Sequence, residues 1–563
     1  MTRARAGALL LTGVIAAAGS TASAQQRDER SALVVLVPGA SFEDLMAIPD
    51  VASLARAGGA GLLVNPDEVV GFDDPGLGET RSVLDPESSL IALVERHRPA
   101  GFRDNELMVI VIGADVEGSA TPAVDDTTLG SDIGGIVVAR GAPDELFPDS
   151  SEQGSLTSKS TRRDGVVTGA DVRPTLTGYL SEVPLITREG LGEPIEIIEG
   201  PPPFELHERY LAQRQMYVPV GTAAAIYLAI AGLGAIAILA LGDRVPSRIR
   251  RIFGWAGFSV PMLAVGMLAV GHLPELSYAT AVPMIAIVTV FGTVAFAPLE
   301  QRDVALVPVG IGVAVLAYFA VEALLGWAGM LTPLLGGSQL DGGRFFGLPN
   351  VAIGLLVGSG LWVAHRLRTL HGFVLLFALG LFAGLPYVGS NLGGGVTLFA
   401  ASGLWLAVRE RERLGVLNGV AAFLGVTLLG LAVILLAHAT SPLETHVTRF
   451  EEDVNGLGGV VERFVDRLQV GFDLIARNPF ALIPVLGLPV AIAAVLWPPA
   501  PLRPNLERSP AWRDAILVTL LAGVVAYVTN DSGPAAAGFA FGMGLGGLLG
   551  VSLLLGAEKM VSR

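Results

Sequence analysis

Residues 217–241 read YVPVGTAAAIYLAIAGLGAIAILAL, a run without a single charged side chain. A helix needs about 20 apolar residues to cross the hydrocarbon core of a bilayer, so this run predicts a transmembrane helix. Apolar stretches of the same kind recur to the end of the chain, about eleven in all. Residues 217–563 are therefore predicted to form an all-α polytopic transmembrane bundle of about eleven helices.

The loops between these stretches alternate in composition. One set is rich in arginine, and the other is rich in glycine, asparagine and aspartate. The arginine set comprises Arg244, Arg248, Arg250, Arg251, Arg302, Arg366, Arg368, Arg409, Arg411, Arg413, Arg503, Arg508 and Arg513. Short arginine-rich loops tend to stay in the cytoplasm. A cell-membrane protein is expected, with its glycine-rich loops outside and its C-terminus in the cytoplasm.

Residues 1–24 have the composition of a secretory signal peptide. Arg3 and Arg5 precede an apolar run, from Ala6 to Ala18, that is too short to span a bilayer. Small residues follow, and a signal peptidase prefers such residues at its cleavage site. We expect cleavage after Ala24, with an uncleaved anchor as the alternative.

Composition excludes several kinds of chemistry. The chain has no cysteine, which rules out disulfides, thiolate zinc sites and cysteine nucleophiles. Its formal net charge is -15, and the excess of acidic residues lies between residues 25 and 215. A segment this acidic does not attract nucleic acid or anionic lipid by bulk charge, so no nucleic-acid partner is expected.

In residues 25–200, continuous apolar runs alternate with segments whose apolar residues have helical spacing. The continuous apolar runs are residues 32–37, 61–64, 107–112 and 133–139. Such strands, interleaved with helices, predict an exported α/β domain built on a mostly parallel sheet.

Two further segments connect or interrupt these parts. Residues 201–216 begin with a proline run and are predicted to be a stiff linker followed by a juxtamembrane helix. Residues 439–480 form a long external loop with apolar residues at helical spacing. That spacing is typical of an amphipathic helix in the membrane interface, and packing on the exported domain is the alternative.

The exported domain resembles the alkaline phosphatase superfamily in four segments. They are residues 34–40 (VVLVPGA), 54–62 (LARAGGAGL), 160–167 (STRRDGVV) and 170–176 (ADVRPTL). The resemblance implies an alkaline-phosphatase-like sheet whose first strand ends in a metal-binding aspartate, but Pro38 and Gly39 stand there. Two-metal chemistry needs several anionic or imidazole ligands. A degenerate domain without metal or cofactor, able to bind a protein partner, is expected.

The glycine-rich loops resemble those of a bacterial family of multi-pass membrane proteins. The similar segments are residues 343–350 (GRFFGLPN), 389–395 (GSNLGGG) and 530–533 (NDSG). Members of that family couple a phosphatase-like exported domain to a membrane bundle. The resemblance implies this architecture and no mechanism.

The chemistry of these loops suggests one shared site. Ionisable groups at membrane depth usually face a cavity or one another, glycine runs form anion-binding concavities, and arginine binds phosphate bidentately. The candidate catalytic bases are Asp341 and Asp531. The candidate substrate-binding residues are Arg344, Asn350, Asn391, Gly393, Gly394, Gly395, Asn530 and Ser532. The competing hypothesis is that these residues only make turns.

Three functions fit these features. The first is an envelope transferase whose outward-facing site holds a phosphate-bearing lipid-linked substrate, with membrane lipids as its partners. The second is a lipid or solute transporter with the same loops as its outer gate. Glu322 is the conspicuous charged residue inside an apolar stretch and would lie at mid-membrane depth in it. The third is a scaffold with a catalytically inactive phosphatase-like domain.

Other motifs predict structural roles. Gly538, Gly542, Gly546 and Gly550 recur every four residues in the last apolar stretch, which is typical of close helix packing. His365 and His371 lie among arginines and are expected to be solvated. His272 shares an external turn with Glu275, where a proton relay is the minor alternative.

The alternation of arginine predicts the topology of the chain. A reporter that is active only in the cytoplasm should work when fused after Arg413, and one that is active only outside should work when fused after Asn455. Paired fusions at both positions measure this directly. Exchanged activities would invert the topology and place the glycine-rich loops in the cytoplasm.

Overall fold

A computed structural model describes sixteen parts of the chain. They are residues 11–15, 31–38, 42–64, 79–82, 90, 107–114, 134–141, 154–168, 171–172, 174–176, 194–200, 202–336, 338–340, 346–441, 482–530 and 533–561. The chain divides into two units, Met1–Tyr210 with Gln339–Phe345, and Leu211–Ser338 with Phe346–Arg563. The external loop predicted at 439–480 lies almost entirely outside the described residues.

The first unit contains a nine-stranded sheet. Its strands are β1 (Leu11–Ile15), β2 (Ser31–Pro38), β3 (Gly59–Val64), β4 (Glu79–Ser82), β5 (Leu107–Ala114), β6 (Gly134–Gly141), β7 (Gly154–Thr157), β8 (Val166–Thr168) and β9 (Glu196–Glu199). They lie in the order β4-β1-β2-β5-β6-β3-β7-β9, and β8 pairs with β3. Two helices, α1 (Phe42–Met46) and α2 (Pro49–Ala57), lie between β2 and β3. Phe42, Leu45 and Leu54 on these helices are buried.

This sheet is mixed, so the expected mostly parallel alkaline-phosphatase-like sheet is wrong. Only β2–β5, β3–β7 and β3–β8 are parallel among the described pairs, and the other five pairs are antiparallel. The central pair β5–β6 is antiparallel, with Val111 opposite Val137. A continuous apolar run shows that a strand is buried on both faces and does not give its direction.

The predicted signal peptide receives no support from the structure. Leu11–Ile15, inside the apolar run, is strand β1 and pairs antiparallel with β2 and β4. A short run that includes valine and isoleucine suits a strand as well as the core of a signal peptide. Composition alone did not separate the two.

Apolar helices dominate the second unit. In chain order they are α3 (Phe204–Leu241, which begins in the first unit), α4 (Ser247–Phe258), α5 (Val260–Ala269), α6 (Tyr278–Val294), α7 (Ala297–Glu300), α8 (Leu306–Leu324), α9 (Asn350–Ala364), α10 (Thr369–Gly384), α11 (Leu392–Arg409), α12 (Arg411–Ala439), α13 (Leu482–Leu496), α14 (Arg503–Arg508), α15 (Pro510–Thr529) and α16 (Gly533–Val561). Short 3-10 helices at Val270–His272 and Ala328–Met330 follow α5 and α8.

Seven of the described helices are long and apolar enough to cross a membrane, so the chain is an integral membrane protein. A further span is possible through α4 and the segment Val260–His272, which are bent by 45° at their junction. The shorter apolar helices are α9, α10 and α13. Each of the roughly eleven apolar stretches in the sequence contains one of these helices or the bent pair. Helix α8 ends at Leu324, which puts Glu322 in its last turn and not at mid-span as predicted.

Glycine allows α4 and α16 to approach each other closely. A Cβ atom on Gly257 would lie 2.8 Å from the carbonyl oxygen of Gly546, and one on Gly550 would lie 3.1 Å from that of Gly254. Real Cβ contacts are essentially never shorter than 3.0 Å. Of the four glycines predicted to pack, Gly546 and Gly550 are therefore in tight contact, whereas Gly538 has its nearest neighbour at 3.6 Å.

This contact predicts different effects for two valine substitutions in one helix. Gly546→Val should destabilise the protein by about 1–3 kcal/mol, because the side chain overlaps the Gly257 carbonyl and forces the helices apart. Gly538→Val is the matched control, since there the new side chain has room. Thermal unfolding of both variants in the same detergent measures the difference. Equal midpoints would contradict close packing at Gly546.

Candidate functional site

Three of the predicted loop segments meet at one end of the second unit. We call this the loop end and define it as residues 346–350, 385–395 and 529–530. The amide of Leu348 donates to the carbonyl of Gly389 at 2.8 Å, and the hydroxyls of Thr397 and Thr529 are 2.9 Å apart. Helices α9 and α11 begin here, and α15 ends here four residues before α16 begins.

Asn391 joins these segments from a fully buried position. Its Nδ2 donates to the carbonyl of Leu348 at 2.9 Å and to Oδ1 of Asn350 at 3.0 Å. Its Oδ1 accepts from the amide of Gly394 at 2.8 Å, which caps helix α11. Asn391 therefore holds the starts of α9 and α11 together.

Asn530 makes a second set of contacts beside the first turn of α11. Its Nδ2 donates to the carbonyl of Ala526 at 3.0 Å and to the hydroxyls of Thr529 and Thr397 at 3.2 and 3.3 Å. Its Oδ1 is buried and accepts no hydrogen bond from the described residues. A Cβ atom on Gly393 would lie 2.8 Å from that oxygen, so the unsatisfied acceptor faces the start of α11.

The glycine run at the start of α11 packs against protein. A Cβ atom on Gly393 would overlap the Thr529 carbonyl, and Cβ atoms on Gly394 and Gly395 would overlap Ile353 and Ile434. Helix packing alone therefore requires these glycines. The first backbone amides of α11 are not satisfied by this packing. Leu392 and Gly393 are partly exposed, and their amides donate to no described acceptor.

The ten predicted site residues divide into two groups. Asn350, Asn391, Gly393, Gly394, Gly395 and Asn530 lie together at the loop end. Asp341, Arg344, Asp531 and Ser532 lie outside the described residues. Gln339, where the first predicted loop begins, belongs to the first unit, and its Oε1 accepts from Nη2 of Arg163 at 2.7 Å. The roles assigned to these residues remain predictions.

A histidine–glutamate pair in the second unit joins two titratable side chains, and sequence analysis did not predict this contact. Nε2 of His272 lies 2.5 Å from Oε1 of Glu322, and Oε2 of Glu322 accepts from the amide of Gly329 at 3.3 Å. The Glu322 side chain is 1% exposed, whereas that of His272 is 33% exposed. A buried carboxylate thus orients an imidazole that reaches the surface.

Two close backbone approaches fix this pair. A Cβ atom on Gly271 would overlap the Gly329 carbonyl, so the two 3-10 helices touch directly. Trp327, between Glu322 and Gly329, has a left-handed backbone (φ 63°), and its amide donates to the Glu322 carbonyl at 2.7 Å. Its indole Nε1 donates to the carbonyl of Val388 at 2.7 Å. The pair is therefore tied to the loop end through one tryptophan.

The opposite end of the helices, which we call the arginine end, pairs carboxylates with arginine. Buried Asp514 contacts Arg409 and Arg411 at 3.2 Å each. Glu300 accepts from Arg251 and from the indole of Trp255, at 3.0 Å in each case. Arginine stays charged at any relevant pH. These carboxylates are thus paired with permanent cations, whereas Glu322 is paired with a histidine.

His365 lies at the arginine end, directly after α9, and is 5% exposed, so the expectation of a solvated side chain is wrong. Its Nδ1 donates to the carbonyl of Trp362 at 2.6 Å, and its ring packs edge-on against Trp512 with centroids 4.8 Å apart. Burial lowers the pKa of His365 from 6.5 to about 4. His371 is exposed as predicted.

The buried neutral form of His365 predicts a loss of stability in acid. The unfolded chain takes up a proton at this histidine near pH 6.5 and the folded chain only near pH 4. Stability is therefore complete above pH 6.5 and falls by up to about 3 kcal/mol as the pH drops to 4. Denaturation midpoints across this range should lose part of their slope in His365→Gln and keep it in His371→Gln. An unchanged slope in both would contradict burial as its cause.

Comparisons with known proteins add no assignment. Neither family models, curated proteins nor solved structures match this chain. Among the described residues, no group of three or more histidine, aspartate or glutamate side chains is placed to hold a metal ion.

Proposed function

We propose that this integral membrane protein is an envelope transferase that binds a phosphate-bearing lipid-linked substrate at the loop end. The observation that carries the proposal is the pair of amides of Leu392 and Gly393, two partly exposed residues beside the unsatisfied Oδ1 of Asn530. Each of these groups lacks a partner among the described residues. Together they offer two donors in the first turn of α11 and one acceptor beside it.

Helix direction supports an anionic ligand. The start of a helix carries partial positive charge and free amides, which favours phosphate. Helices α9 and α11 begin at the loop end, and α16 begins four residues after Thr529. Asn391 caps only the Gly394 amide of α11, so the two preceding amides remain for a ligand.

The Asn530 oxygen supports a ligand that also carries a donor. A buried carbonyl oxygen without a hydrogen bond costs about 1–3 kcal/mol. When the contact between Asn530 and Gly393 opens, a hydroxyl group next to the phosphate would satisfy this oxygen, as in a sugar or glycerol phosphate. This requirement favours a phosphate ester over a simple anion.

Apolar surface beside the loop end supports the lipid part. Leu324 and Leu325, at the end of α8, are 86% and 55% exposed, and Tyr387, next to Val388, is 58% exposed. Such side chains suit contact with hydrocarbon at the membrane boundary. A lipid chain can lie against them while its headgroup reaches α11.

The orientation of the protein in the membrane and the remaining predicted site residues complete the proposal. With the arginine end in the cytoplasm, the loop end opens to the outer leaflet. Arg344 belongs to the same predicted loop as Asn350, and we assign it to the phosphate. Asp341 and Asp531 remain candidate bases. Transfer then takes place outside the cytoplasm.

Binding tests this proposal on the full-length protein in nanodiscs. Native mass spectrometry with polyprenyl phosphate, phosphatidic acid and polyprenol separates the contribution of phosphate from that of the lipid chain. At least one phosphate lipid should bind about tenfold or more tightly than polyprenol, which corresponds to about 1.4 kcal/mol. Equal binding of all three would reject a phosphate site.

Matched substitutions locate the site. Asn530→Ala should weaken phosphate-lipid binding about tenfold, the scale of one hydrogen bond to a ligand. Asn505→Ala is its control, because Asn505 is also buried but bonds to Ser552 near the end of α16. Arg344→Ala should act like Asn530→Ala, with exposed Arg368→Ala as its control. Binding that is unchanged by both site variants would place the lipid elsewhere.

A further inference from the structure

We propose that His272, oriented by Glu322, is the catalytic base that takes the proton from the acceptor hydroxyl in the transfer reaction. This inference rests on the proposed function and names a group that the glycine-rich loops do not contain. The pair was hidden because His272 and Glu322 lie fifty residues apart in the sequence. Sequence spacing pointed instead to Glu275 as the neighbour of His272.

The hydrogen bonds of Glu322 select one form of the imidazole. With Glu322 as a carboxylate, which only accepts hydrogen bonds, a neutral His272 places its proton on Nε2, which donates to Oε1 of Glu322. The lone pair is then on Nδ1, which makes no hydrogen bond with a described residue. A base needs such a free lone pair together with a carboxylate that stabilises the imidazolium it becomes.

The groups around the pair favour proton transfer over a permanent ion pair. Glu322 faces His272, the Gly329 amide and, one turn earlier on α8, Tyr318. The buried Tyr318 hydroxyl is within electrostatic reach of Glu322 but forms no hydrogen bond of ordinary geometry with it. No arginine or lysine contacts Glu322 among the described ion pairs. Histidine is the side chain that exchanges protons near neutral pH.

Rigidity and position support catalysis at this place. The contact between the two 3-10 helices leaves no room for Gly271 or Gly329 to move toward each other. Trp327 connects the pair to Val388, three residues before Asn391. A base held on packed backbone, and connected through Trp327 to the substrate-binding loop, is suited to general-base catalysis.

The proposed step transfers the group carried by the lipid phosphate to the acceptor hydroxyl. The hydroxyl oxygen attacks the carbon bonded to the phosphate oxygen, and its proton moves to Nδ1 of His272. A new carbon–oxygen bond forms as the bond to the lipid phosphate breaks. The electron pair stays on the phosphate, which the start of α11 stabilises. The imidazolium then releases its proton to water.

Carbethoxylation tests the free lone pair directly. Diethyl pyrocarbonate reacts with the unprotonated nitrogen of a neutral imidazole, and peptide mass spectrometry gives the rate at each histidine. With the full-length protein in nanodiscs, His272 should react readily at neutral pH, and exposed His371 serves as the reference in the same sample. Saturation with the bound phosphate lipid should protect His272 and leave the rate at His371 unchanged.

Substitution of Glu322 tests its orienting role. In Glu322→Gln, the amide oxygen should accept from Gly329 and the amide nitrogen should donate to Nε2, which moves the ring proton onto Nδ1. The rate at His272 relative to His371 should fall about tenfold or more, because the tautomer is wrong. Glu322→Asp keeps a carboxylate and should restore part of the rate. A merely structural role for Glu322 predicts no such recovery.

The outcomes separate this inference from the proposed function. If the phosphate lipid binds in the mass-spectrometry assay but does not protect His272, the base is elsewhere and the binding function stands. If the relative rate at His272 is the same in wild type and Glu322→Gln, the orienting role is wrong. If no phosphate lipid binds at all, the proposed function fails, and with it the reaction assigned to His272. Protection together with a slower Glu322→Gln reaction supports both.

Discussion

The hydrogen bonds of Asn391 are the interaction on which the loop end depends. Backbone groups at membrane depth must find partners within the protein, and several helices break or begin at this end. One buried side chain satisfies the Leu348 carbonyl and the Gly394 amide at once. The Leu348 carbonyl lies just before α9, and the Gly394 amide lies in the first turn of α11. The starts of these two helices therefore cannot shift independently. The two unpartnered amides of α11 therefore stand in a fixed arrangement, which favours ligand binding without reorganisation.

Charge is distributed unequally between the two ends of the helices. At the arginine end, Asp514 and Glu300 lie against arginines and act as structural ion pairs. At the other end, Glu322 lies against a histidine that reaches the surface. Removing one partner of a buried arginine–carboxylate pair leaves a buried charge without its partner and is strongly destabilising. Among the described residues, the His272–Glu322 pair differs from these in containing histidine, the side-chain type that proteins use for proton exchange.

Sequence reasoning located the apolar helices because hydropathy over about 20 residues is a local property. The same reasoning failed where contacts between distant segments decide the outcome. The direction of β5 relative to β6 depends on pairing and not on composition, and His365 is buried because Trp512 packs on it from another helix. The pairing of His272 with Glu322 depends on the contact between Gly271 and Gly329. At the loop end, composition pointed to segments that lie together in the structure, but it could not show that Gly393, Gly394 and Gly395 pack against protein.

The distribution of buried polar groups favours a transferase over a transporter. A transport path needs polar groups along the depth of the membrane that face a common space. The buried threonines within the described helices instead donate to their own backbone one turn earlier, as Thr289 does to Ile285 and Thr519 does to Ala515. A hydroxyl group that donates to its own helix has no free donor for a solute. The unsatisfied acceptor of Asn530, the unpartnered amides of Leu392 and Gly393 and the His272–Glu322 pair all belong to helix ends on one side. Candidate functional groups that lie together at one end of a bundle suit a substrate that stays in one leaflet.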